Sequence, residues 1–189
     1  MNNKYIVNVN EYGCIEIVRP NSSILVYKIP YKEFQKQIFG MEITNRFIVY
    51  ILVGYNTNNE KIAYVGKSKN GVDNRPIAHE KEGYFWETCY ILTSLSEKTF
   101  LNDATILCIE NKIHNILKSS PTIKTVTKTT TFETANYVET EFCDEFLSEA
   151  SKMLFILGLD LTADEETEVQ QTVTNELSAI VDVFMNKIS

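Results

Sequence analysis

Four side chains able to carry positive charge, Lys67, Lys69, Arg75 and His79, fall where an apolar run, IAYVG, gives way to a helix-like stretch, RPIAHEKEG. Such a cluster suits an anion. A guanidinium presents two parallel donors to an oxyanion, and a histidine four residues further on lies one helical turn away with a proton exchangeable near neutral pH. Arg75 is one of only three arginines in the chain, which favours a specific use. Two tyrosines precede the cluster, Tyr50 in RFIVYILVG and Tyr64 in IAYVG. A phenol ordinarily titrates near ~10, and a neighbouring ammonium such as Lys67 favours its ionised form. Glu110 is set in ATILCIENKIHNIL, where a carboxylate among apolar neighbours is costly unless a cation meets it. The plainer readings are strand-core tyrosines, a solvated Lys69, and a boundary Glu110 paired with Lys112 or His114. His114 is read as a neighbour of Glu110 and not as a ligand. Trp86, with Phe85 and Tyr84, reads as sheet core.

The elements that would position these groups follow from periodicity. Residues 5–29 alternate, are rich in Val, Ile and Tyr, and break at NEYG and RPNSS, which predicts two or three antiparallel strands. PYKEFQKQIFGM predicts a short helix stopped by Gly40. RFIVYILVG and IAYVG, joined by YNTNNEK, predict a hairpin whose second strand ends at Gly66. A helix from Pro76 to Gly83 and a strand over YFWETCYILTS come next. The longest helix should begin after Ser96 as its cap, with Leu101, Ala104, Ile109, Ile113, Ile116 and Leu117 on its apolar face. The seven threonines of PTIKTVTKTTTFETAN predict a loop or a weak edge hairpin, with Lys124 and Lys128 as backbone-tracking candidates. Two amphipathic helices complete the chain, the first carrying Phe142, Phe146, Ala150, Leu154 and Leu157 on one face.

Composition narrows the partners. The chain has 189 residues and a formal charge of −7, but residues 137–189 hold twelve acids against two bases, which leaves +3 on residues 1–136. The acidity that argues against nucleic-acid binding therefore belongs to the C-terminal part alone. No run approaches 18 apolar residues and the alternating N-terminus lacks the form of a secretory leader, so the expectation is a cytoplasmic protein without a membrane span. Cys14, Cys89, Cys108 and Cys143 are widely spaced without a C-x-x-C pair, which predicts reduced thiols and no metal between them.

The order of tyrosine strand, turn, tyrosine strand, lysine, arginine, histidine, strand and mid-helix glutamate resembles the GIY-YIG nuclease family. It is carried by IVY at 48–50, YVG at 64–66, Lys67, Arg75, His79 and Glu110. The specific part is residues 47–117, within a likeness that reaches over residues 1–160. Ile48 stands where the family has its first glycine, and the asparagine that follows the family's glutamate helix has no counterpart in TIKTVTKTTT. The resemblance implies an α+β fold: a small antiparallel three-stranded sheet flanked by helices in residues 46–120. Ahead of it lies an N-terminal β extension (1–45), and after it a threonine-rich loop with acidic C-terminal helices (121–189).

It also implies chemistry. A phosphodiester transition state gathers negative charge on its oxygens and asks for an activated water and a cation. Glu110 would hold one Mg²⁺ or Mn²⁺ ion with several waters, Arg75 would grip the phosphate, Tyr50, Tyr64 and His79 would activate water, and Lys67 would tune the tyrosine. The expected activity is endonucleolytic cleavage of DNA, with RNA as the other substrate. The alternative is a catalytically inactive module of the same fold that binds nucleic acid or protein. A homodimer or a protein partner through the C-terminal helices is the further expectation.

Overall fold

The structure, a computed structural model, describes residues 4–35, 43, 46–72, 86–96, 101–126 and 137–161. The expected helix over residues 76–83, the continuation to Gly40, the last helix and most of the threonine-rich segment lie outside the described residues, as do Arg75 and His79.

In chain order the elements are β1 (Ile6–Val9), β2 (Ile15–Val18), β3 (Ile24–Pro30), α1 (Tyr31–Gln35), β4 (Ile48–Tyr55), β5 (Lys61–Ser68), β6 (Trp86–Ser94), α2 (Asp103–Ser119), β7 (Lys124–Thr125) and α3 (Tyr137–Ile156). The strands form one seven-stranded sheet in the order β1-β2-β3-β6-β4-β5-β7. Every pairing is antiparallel except β5 with β7. The fold is α+β, but the small three-stranded sheet is corrected to seven strands. The hairpin β4–β5 and strand β6 do form an antiparallel trio, and β3 then pairs with the far side of β6 from Ile24↔Ser94 to Pro30↔Thr88. The reason is the burial of β6: seven of its nine residues are buried, so unmet N–H and C=O groups along its second edge would be costly, and β3 satisfies them.

β4 is buried on both faces from Ile48 to Gly54, as its unbroken apolar run requires of a central strand. Its alternate side chains enter two cores. Val49, Ile51 and Val53 join Ala63, Val65, Tyr90 and Leu92 beneath α2 and α3, which contribute Ile106, Ile109, Ile113, Phe146, Leu154 and others. Ile48, Tyr50 and Leu52 turn the other way, joining Ile29, Cys89, Ile91, Trp86, Ile43 and Phe34 of α1. Trp86 meets Tyr31 and Phe34 edge to face, with centroids 4.6 and 5.3 Å away, and is core.

The long helix α2 starts at Asp103 and not after Ser96. Asn102 accepts from the Thr105 N–H at 2.9 Å, while the Asn102 N–H donates to the Thr105 hydroxyl at 2.8 Å. This reciprocal capping box satisfies two donors that Ser96, seven residues away from the helix, cannot reach. α3 ends in a glycine-closed cap: Gly158 takes φ +89, and the Leu159 and Gly158 N–H groups donate to the carbonyls of Leu154 and Phe155. All four cysteines are unpaired thiols. Among the described residues no helix is long and apolar enough to cross a membrane.

Candidate functional site

The hairpin register brings Tyr50 opposite Gly66 and Leu52 opposite Tyr64. Tyr50 and Tyr64 consequently emerge on the same face, where their rings stack at 6.2 Å between centroids and 27° between planes. Gly66 explains how they fit: a Cβ there would overlap the ring end of Tyr50, its Cζ and hydroxyl. The glycine does not end the strand, since β5 continues through Lys67 to Ser68. It is retained for the close approach of the Tyr50 ring, a role open to a residue without a side chain.

Lys67 lies three residues after Tyr64, an odd spacing that turns it to the opposite face of β5 with Ala63 and Val65. That is the face on which α2 packs, and its charge acts on Glu110. Glu110 stands in the middle turn of α2, flanked at helical spacing by buried Ile106, Ile113 and His114. It is 5% exposed, and its Oε2 is buried without a hydrogen-bond partner among the described residues. Burial pushes its carboxyl up to about 7, against the downward pull of the Lys67 charge.

The simple boundary pairing of Glu110 is not what forms. Lys112 reaches Asp144 of α3 at 2.7 Å instead, and the His114 Nδ1 faces the Thr125 hydroxyl at 3.4 Å. Both neighbours are drawn off by groups on other elements, which helical spacing cannot reveal.

The structure thus makes two pairs and separates them by the thickness of β5: stacked Tyr50 and Tyr64 on one side, Lys67 and Glu110 on the other. The odd Tyr64-to-Lys67 spacing already turns Lys67 away from the tyrosine it was expected to tune, but that Glu110 is what it meets there depends on the packing of α2. β5 lies at the end of the sheet, with only β7 beyond it, paired at Ile62 and Ala63. Among the described residues no three His, Cys, Asp or Glu side chains gather as a metal-binding group. The orphaned Glu110 Oε2 has no solvent exposure of its own, so a hydrated divalent cation would reach it only if the packing around it opened.

Comparison of the chain with protein-family models, with curated proteins and with solved structures gives no match in any of the three.

Proposed function

We propose that the protein is a divalent-metal-dependent phosphodiesterase of the GIY-YIG type that cleaves DNA in the cytoplasm. The observation that carries this reading is Glu110: a carboxylate buried in mid-helix, with an unpartnered Oε2, under the charge of Lys67 on a hairpin whose other face carries the stacked Tyr50 and Tyr64. A group so placed costs stability, and such costs are retained where a site needs them. Glu110 would hold Mg²⁺ or Mn²⁺ through that oxygen, and the bound ion would supply Lewis-acid stabilisation of the phosphate oxygens. Tyr64, stacked on Tyr50, would take the proton of the attacking water with His79 assisting. Arg75 would grip the phosphate, and Lys67 would balance the charge of the carboxylate face. One phosphate could meet groups on both faces only around the edge of β5 beyond Ala63, where no described strand pairs with it.

The test is nicking of supercoiled plasmid and cutting of single-stranded DNA with Mg²⁺ or Mn²⁺. Glu110→Gln should lower the cleavage rate at least ~100-fold while the fold persists, the size of effect expected when a transition-state cation is lost. Wild-type protein that leaves both substrates uncut would overturn the enzymatic reading.

A second reading, a binding module of the same fold, is favoured by the depth of Glu110, whose free oxygen has no solvent exposure of its own. It predicts DNA or RNA affinity unchanged by Glu110→Gln and no cleavage by either protein.

A further inference from the structure

Among the described residues β1 is the last strand at the other end of the sheet, paired on one side only, with β2. All four of its residues are exposed, and its apolar members are well exposed: Ile6 by 49%, Val7 by 42% and Val9 by 65%. Natural edge strands are usually blunted by charge, proline, a bulge or a covering element. IVNV carries none of the first three, and no described element covers it.

The ladder determines which groups face outward. The Asn10 N–H donates to the Cys14 carbonyl, so Asn10 and Cys14 form a hydrogen-bonded pair. Alternation along an antiparallel ladder makes Asn8↔Glu16 and Ile6↔Val18 hydrogen-bonded pairs as well. The N–H and C=O of Val7 and Val9 consequently point away from β2. The same alternation, carried across β2 and β3, puts Ser23 and Leu95 in a hydrogen-bonded pair, and the Leu95 N–H does donate to the Ser23 carbonyl at 2.7 Å.

We propose that β1 pairs with β1 of a second copy of this chain, antiparallel about a two-fold axis through Asn8. In that register Val7 lies opposite Val9 of the partner and Val9 opposite its Val7. Every outward backbone group of these two residues is then used, in four hydrogen bonds. Registers shifted by one residue are excluded, because they would oppose outward-facing groups with groups already bonded to β2. The side chains suit the pairing. Val7 shares a face with Ile17, its ladder partner in the helix-covered core, so the valines of the two copies extend that face. No charge lies within the paired stretch, so the pairing brings no like charges together. With only a few strand residues per subunit, against roughly 20–30 in a standard interface, the dimer should be weak and depend on concentration.

Sedimentation equilibrium of the full chain over a wide concentration range tests this, together with amide exchange at low and high concentration. Val9→Pro removes one outward N–H and leaves the β2 ladder intact; Val7→Lys, a second variant, adds charge without touching the backbone. The expected result is a monomer–dimer equilibrium, concentration-dependent protection of the Val7 and Val9 amides, and at least a ~10-fold weaker association in both variants. A chain that stays monomeric throughout overturns the proposal. So does protection of these amides that does not change with concentration, which would mean that the chain covers its own edge. A dimer indifferent to both substitutions overturns it equally.

Discussion

The two ends of the sheet are built to different rules. At the β5 end, Ala63 and Val65 are wholly buried beneath α2, Tyr50 is 2% exposed, and one carboxylate is held within the core. At the β1 end, four consecutive residues are exposed although three of them are apolar. The strands do not differ much in composition; the layers above them do. α2 lies against β4, β5 and β7 and α3 against β3, so among the described residues the cover runs out before β1 is reached. A β-branched residue at one end therefore contributes burial energy, and at the other it offers surface to a partner.

The sharpest way to probe the contrast is Glu110→Gln at the β5 end. Burial pushes the native carboxyl up to about 7 from an ordinary value of 4.5, so the folded protein holds the proton more tightly than the unfolded chain. Stability should fall as pH rises from 4.5 to 7, where the unfolded chain releases its proton first, and the deficit should be complete above 7. With a chelator present, Glu110→Gln should be more stable than wild type at pH 8 by on the order of 3 kcal/mol. That gain should vanish towards pH 4.5, as followed by urea denaturation. An equal difference at both pH values would mean that the carboxyl is not desolvated.

Gly66→Ala comes next. The added methyl overlaps the buried Tyr50 ring and should cost roughly 2 kcal/mol. Tyr50→Leu in the same chain should recover part of the loss, and a strictly additive double mutant would refute the close approach. Smallest is Val7→Lys at the β1 end, where unfolding measured on dilute protein should change by less than about 0.5 kcal/mol. A larger loss would show that β1 is packed after all and that the two ends are alike.

Much of the fold was legible along the chain, because its evidence was local. The unbroken apolar run of β4, the turn at YNTNNEK and the helical spacing of Ile109, Ile113 and Leu117 each carry their own signal, whereas buried Ile106 was not among the residues expected on that helix face. Helix starts were less legible: Ser96 and Asn102 are both good caps, and Thr105 at the third helical position decides for Asn102 by returning the hydrogen bond. The seven-stranded sheet was not legible at all, since β3 and β6 pair residues 58 to 70 positions apart and neither run names its partner. Of the candidate site, the residue types and the shared face of Tyr50 and Tyr64 follow from the hairpin. The partners of Lys112 and His114 do not, because they come from α3 and β7.

The sequence by itself determined the β4–β5 hairpin, the apolar runs of the central strands and the existence of the long middle helix, which side chains share a strand face, and that a lone glutamate sits on an apolar helix surface. Those properties depend on periods of two and 3.6 residues, which any short stretch contains. Only the tertiary structure decided that this glutamate is enclosed with an unpartnered oxygen near Lys67, that the tyrosine pair lies across β5 from it, and that no described element covers β1. Burial and field depend on what packs against a residue from distant parts of the chain, and no local pattern records that.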